Sequence, residues 1–218
     1  MKRMAVFLFA VGITLSAAWP VYAQNKVPEY RIASGRWGWT NDRFFQNDTA
    51  ARLAKVNLRV PQSGSMEYIF NIRYEGGAED GHGGVGIHVF SDTAYDSASW
   101  GCGHSYLLWL NYDEKPISRD IPAGLSAQVY RSYTNSRMDL VQSISLKDYE
   151  KFLTAENLDT PVVFRIEAYG NTGDIRVYDP TDEGQYYLIK VNPRDVPLKG
   201  DWVALRTNGL KASFAPGL

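Results

Sequence analysis

The chain has 218 residues, 44% hydrophobic and 13% aromatic, with 23 Lys and Arg against 24 Asp and Glu. That length suits one β-sandwich or one compact α/β domain and is too short for two full enzyme domains. The interspersed charges exclude a basic nucleic-acid-binding module, which needs clustered cations to neutralise phosphates, and the apolar content excludes intrinsic disorder.

Residues 1–23 read as a secretory signal. Lys2 and Arg3 form a charged start, Met4 to Ala18 is apolar, and Pro20 breaks the run before Val21-Tyr22-Ala23, which offers small residues to a signal peptidase. The run falls short of the roughly 20 apolar residues of a spanning helix, and no later run reaches that length. Cleavage after Ala23 removes two basic residues and no acidic ones. Residues 24–218 are then expected as a single, slightly acidic β-sandwich domain, periplasmic or secreted. No cysteine lies near the cleavage site for a bacterial lipid anchor. The single cysteine, Cys102, permits neither an intrachain disulfide framework nor a four-cysteine zinc site. It reads as a buried small side chain or as half of an intermolecular disulfide.

Along the rest of the chain about eleven short β-like runs alternate with turns. They are 55–61, 66–74, 85–90, 105–111, 125–132, 137–144, 162–168, 174–178, 185–191, 202–207 and 210–214. Val85, Ile87 and Val89 fall on one strand face. Before the third run, Gly81 to Gly86 formally matches G-x-G-x-x-G. A strand rather than a helix follows it, so it is not a dinucleotide site, and the glycines from Gly76 to Gly86 read as a mobile loop. Ser145 to Asp148 reads as a capping box, and Leu146, Tyr149, Phe152 and Leu153 share a helical stripe, which predicts one short helix. One helix among many strands does not make βαβ units. Gly170 to Gly173 and Asp179 to Gly184 are turns, giving a meander that is expected to run on into the strand bearing Trp202. The whole reads as an all-β sandwich or jelly roll.

Val163 to Asn171, Ile175 to Tyr178, Gly200 to Thr207 and Ala212 to Phe214 together resemble the closing strands of the concanavalin A-like (laminin-G-like) lectin and glucanase jelly rolls. Gly86 to Phe90 and Trp100 to Asn111 resemble the middle strands of that superfamily. A more distant resemblance is to the sheath-type proteins of spirochaete periplasmic flagella. The superfamily implies either a glycan binder or a glucanase. Its glucanases carry Glu-x-Asp-x-(x)-Glu on one strand face, so that two carboxylates flank the scissile bond. No stretch here matches: Glu79 and Asp80 are adjacent, and Glu156 and Asp159 have the wrong spacing.

Other chemistry is sparse. His82, His88 and His104 lack metal-ligand spacing and read as ordinary imidazoles. No nucleophile elbow occurs, and Cys102 with His104 would share only a local loop. No cofactor is implied, although calcium is the metal that acidic loops such as Glu79-Asp80, Ser91 to Asp96 and Asp179 to Glu183 would take. The positive signal is aromatic. Trp37 and Trp39, two apart in an extended segment, can stack on sugar faces, anchor an interface or cap the core. Trp100, in a glycine-rich stretch, is the ring expected to be exposed, with Tyr130 and Tyr133 as a polar-aromatic rim. Trp109 and Trp202 are expected in the core. These residues point to a non-catalytic jelly roll that binds a glycan or a protein of the cell envelope. The alternatives are a structural subunit of an extracytoplasmic assembly, such as a flagellar sheath, and a diverged glucanase.

Overall fold

The computed structural model of the chain describes residues 28–40, 43–146, 161–179 and 182–216. The described residues form strands β1 (Tyr30–Ser34), β2 (Trp37–Thr40), β3 (Arg43–Gln46), β4 (Ala54–Ser63), β5 (Ser65–Gly77), β6 (His82–Ser91), β7 (Ser105–Asp113), β8 (Gly124–Ser132), β9 (Met138–Ser145), β10 (Pro161–Tyr169), β11 (Asp174–Asp179), β12 (Asp182–Lys190), β13 (Lys199–Asn208) and β14 (Leu210–Pro216). They make two seven-stranded sheets, a front sheet in the order β1-β4-β13-β6-β7-β8-β9 and a back sheet in the order β12-β11-β10-β5-β14-β3-β2. The sheets stack as an all-β jelly-roll sandwich.

Alternation along the strands builds the core, because successive side chains point to opposite faces. In β5, Tyr68, Phe70, Ile72 and Tyr74 are buried while Ile69, Asn71 and Arg73 between them are only partly covered. In the front sheet Val56, Val85, Ile87, Val89, Tyr106, Leu108, Val129, Val203 and Leu205 face them in one cluster. Each such side chain contributes about 1.5–3 kcal/mol by leaving water. Gln62 ties the two sheets together. Its Oε1 accepts the Tyr68 hydroxyl and the Phe90 amide, both at 2.8 Å, and its Nε2 donates to Val60 O and Trp202 O. Phe90 sits at a bulge between β6 and β13 with φ 58°, and this amide bond helps hold that conformation.

All eleven expected strands are present, most of them extended, while β9 begins at Met138 and β12 ends at Lys190, each one residue inside the expected bound. The short strands β1, β2 and β3, of five, four and four residues, precede them. The β10–β11–β12 meander forms as expected, but the strand with Trp202 does not continue it. That strand, β13, crosses to the middle of the front sheet between β4 and β6. The glycine run is mostly not a loop. Gly76 and Gly77 end β5, and Gly83, Gly84 and Gly86 lie inside β6, which begins at His82. The described residues contain no helix, and the one expected after Ser145 falls largely on 147–160, outside them. Residues 1–23, read as a secretory signal, also lie outside them.

Candidate functional site

The front sheet has an outer face, turned away from the back sheet, and it is unusually rich in buried polar groups. Cross-strand pairing places Lys55, Arg206, Gly86, Trp109, Gln128 and Ser143 in one row. The next row is Asn57, Ala204, His88, Leu107, Tyr130 and Leu140. Lys55, Arg206 and His88 are all buried, at 0%, 2% and 0% exposure.

Trp109 lies over the glycines of β6. A Cβ on Gly84 would come within 2.1 Å of Trp109 Cζ2, and one on Gly86 within 2.8 Å of its Cε3. The missing side chains therefore let the indole lie close against the sheet. Its Nε1 donates to Asn111 Oδ1 at 3.0 Å. On β8, the Tyr130 hydroxyl donates to Gln128 Oε1 at 2.7 Å, and Gln128 Nε2 donates to Ser126 Oγ at 2.9 Å.

The connection from β6 to β7, residues 92–104, folds back over this face. Lys55 Nζ donates to Ser99 Oγ at 2.6 Å and to Gly101 O at 2.7 Å. Arg206 Nη1 donates to Trp100 O at 2.5 Å. Asn57 Nδ2 donates to Tyr95 O at 3.1 Å. From the side, the turn after β8 holds the same segment. Ser132 Oγ accepts the Cys102 amide and donates to Gly103 O, and Asn135 accepts the Gly101 and Gly103 amides. The segment thus presents Trp100, 57% exposed, on a fixed base. The Arg206 guanidinium is 5.3 Å from the Trp100 ring centre and 5.1 Å from that of Trp109, within cation–π range of both.

Burial governs the electrostatics. It lowers the Lys55 ammonium to about 8, with the positive charge of Arg206 adding to the effect. It lowers Arg206 to about 10. It holds His88 well below the usual imidazole range, with Arg206 and Lys55 acting in the same direction. His88 Nδ1 meets Ser105 Oγ at 3.0 Å, while its Nε2 has no partner among the described residues.

The expected site residues separate into two regions. Trp100 and Tyr130 share the outer front face, and Tyr130 is near enough to Arg206 for their charges to interact. Tyr133 lies in the turn after β8, its ring between Arg131 at 5.0 Å and Arg137 at 4.8 Å. Trp37 and Trp39 sit on β2, at the far edge of the back sheet. Trp37 is buried against Phe214 and donates from Nε1 to Ser34 O. Trp39 is half-buried, edge-on to Phe44 at 4.6 Å. Trp109 is buried as expected, though on the outer side of the front sheet, whereas Trp202, also expected in the core, belongs to that outer face. Trp202 lies half-buried there beneath Arg31, 4.9 Å from its ring centre. Arg206, Gln128 and Asn111 were not foreseen. The available signal was the alternation of Trp202, Ala204 and Arg206 with the apolar Val203 and Leu205.

The metal candidates are engaged within the protein. His82 pairs with Asp113 at 3.0 Å and His104 with Asp92 at 3.0 Å. Asp80 accepts from Arg52 and from the His82 amide, and Asp179 is buried at the end of β11. No group of three or more His, Cys, Asp or Glu suited to a metal occurs among the described residues. The Cys102 thiol is fully buried, with Ser91 Oγ 3.3 Å from its Sγ.

No protein-family model and no curated protein matches the chain. Solved structures do resemble it. The carbohydrate-binding module CBM66 from Bacillus subtilis is 13% identical with a TM-score of 0.57, over 87% of this chain and 93% of that one. A Bacillus subtilis protein of unknown function with a galectin-like fold is 12% identical with a TM-score of 0.52, over 86% and 87%. A legume lectin-like domain from Entamoeba histolytica is 10% identical with a TM-score of 0.50, over 86% of each chain. These likenesses establish the fold as a jelly-roll β-sandwich of the kind seen in those structures, as the strand pattern implied.

Proposed function

We propose that the protein is an exported, non-catalytic β-sandwich that binds a glycan of the cell envelope on the outer face of its front sheet. The observation that carries this is the exposed Trp100 ring, held in place by Lys55, Arg206 and the turn after β8. A rigid aromatic face stacks on the apolar face of a sugar at little entropic cost. On the same face the partly covered Tyr130 and Asn111 supply groups that can exchange hydrogen bonds with hydroxyls. The fold is shared with a carbohydrate-binding module and a legume lectin-like domain. Glycoside hydrolysis needs two carboxylates about 5–10 Å apart across the bond, and neither row through Trp109 and Tyr130 contains an Asp or Glu. Export rests on the apolar leader that ends at Ala23.

The test is a glycan array with the wild type, Trp100→Ala and Trp39→Ala. Wild-type binding should fall at least roughly tenfold in Trp100→Ala and stay unchanged in Trp39→Ala. No glycan binding by the wild type overturns the reading, and release of reducing sugar from a β-glucan would move it to a glucanase. Export is checked by sequencing the N-terminus of the protein from an envelope fraction, which should begin at Gln24.

A second reading is a subunit of an extracytoplasmic assembly, the flagellar sheath type included, or a binder of an envelope protein. It is favoured by apolar side chains on edge strands, Tyr186 and Leu188 on β12 and Tyr30 and Ile32 on β1, each exposed by 42–45%. Edge strands bearing such residues are templates for pairing with another chain. Native mass spectrometry of the protein from envelope fractions should then show oligomers or a constant partner, and a lone monomer removes this reading.

A further inference from the structure

The centre of the outer front face, under the 92–104 segment, holds two buried cations, while the other charges of that face, Asp113 with His82 and Arg31 over Trp202, lie toward its ends. Lys55 and Arg206 face each other across β4 and β13. The adjoining row on one side is Asn208, Gly84, Asn111, Ser126 and Ser145, and on the other Asn57, Ala204, His88, Leu107, Tyr130 and Leu140. None of these is acidic. The covering segment supplies no carboxylate to pair with them, and its Cys102, near enough to act on both cations, engages Asn57 Oδ1 and Thr93 O through its thiol. The segment's Asp92 is bound to His104 and its Asp96 is exposed to solvent. The donors of both cations go to the neutral oxygens of Ser99, Trp100 and Gly101, and Arg206 Nε is buried with no partner among the described residues.

A buried charge is normally paired, because an uncompensated one is costly. Here the hydrogen-bond acceptors of the two cations among the described residues are neutral oxygens, which leave most of their charge unbalanced. The positive field emerges where Trp100 caps Arg206. A neutral sugar stacked on that ring gains nothing from the field, whereas a carboxylate or sulfate at the ring edge is attracted through a medium of low screening.

Resting on the glycan-binding reading above, we propose that the saccharide taken by this face is acidic, a uronate- or sulfate-bearing glycan whose anionic group sits beside Trp100 over Lys55 and Arg206. The anionic group then meets the field of the two buried cations across the 99–101 backbone, without contacting them.

The test uses two polymer pairs with the full-length protein: polygalacturonate against its carboxyl-reduced form, and dextran sulfate against dextran. The charged member of at least one pair should bind about tenfold or more tightly, and its affinity should fall several-fold as salt rises from about 50 to 500 mM. The pair that shows the preference identifies carboxylate or sulfate as the recognised group. Arg206→Lys should keep the preference and Arg206→Gln should lose it, read as the ratio of charged to neutral polymer affinity within each variant. If Arg206→Gln does not fold, the charged-to-neutral ratio and its salt dependence decide. Equal, salt-independent binding of charged and neutral polymers that still requires Trp100 overturns the acidic specificity and leaves the glycan reading intact. Binding of no polymer in either pair, together with an empty glycan array, overturns both.

Discussion

Gly84 and Gly86 are the residues whose role is least visible without the fold. They are placed in a strand, where glycine weakens backbone order, because the Trp109 indole occupies the space that their side chains would fill. A Cβ on Gly86 would also come within 2.3 Å of Leu108 O. Gly86→Ala should therefore destabilise the protein by about 1–3 kcal/mol through overpacking, read as a lower urea midpoint with a changed near-ultraviolet tryptophan spectrum. Lys55 makes a different prediction. Its ammonium titrates near 8 in the fold against an ordinary 10.5. Between those values the unfolded chain binds more protons, so Lys55 makes stability rise with pH across that window. Urea titrations at two pH values inside it should show the wild type gaining about 1–3 kcal/mol relative to Lys55→Met. A constant difference would refute the burial argument.

The 92–104 connection is the element that turns a sheet face into a candidate site. It carries no regular secondary structure after β6 and is fixed by hydrogen bonds from Lys55 and Asn57 of β4, Arg206 of β13, and Ser132 and Asn135 at and after the end of β8. Ser132 is the hinge of that attachment, since its hydroxyl accepts from Cys102 N at 3.1 Å and donates to Gly103 O at 2.8 Å. Ser132→Ala leaves a buried amide unpaired, at a cost of about 1–3 kcal/mol. Amide exchange at residues 99–103 should accelerate while exchange in β5, β6 and β13 stays slow. Gly101 is equally constrained, because a Cβ there would lie 2.0 Å from Thr134 O.

At the scale of the whole molecule, the two seven-stranded sheets close over one apolar cluster with no covalent crosslink, since the lone Cys102 is free and buried. Unfolding should therefore be insensitive to reductant, and the thiol should react with an aromatic disulfide reagent only as the fold opens. Ile87, 2% exposed in the middle of β6, is a direct probe of the cluster. Ile87→Ala should cost about 2–5 kcal/mol by leaving a cavity. A loss below 1 kcal/mol would mean that this part of the core relaxes freely.

The strands were legible wherever one face is apolar and the other polar, as in β5 and β10, because the period of two is a local property of the chain. The aromatic assignment was legible only in part. Trp100 was marked by its glycine neighbours, but β7 runs Tyr106, Leu107, Leu108 and Trp109 with both faces covered, so alternation could not say which residues meet the back sheet. Trp37 and Trp39 share a strand with Trp100 in no sense but composition. The crossing of β2 to the far edge of the back sheet separates them from it. The sequence by itself determined an all-β sandwich without disulfides and a chain whose strongest chemical signal is aromatic. Only the tertiary structure brought Lys55, Arg206 and Trp109 from three strands beneath Trp100, because those contacts depend on strand order between residues as much as 151 apart in the case of Lys55 and Arg206, and no local pattern encodes that order.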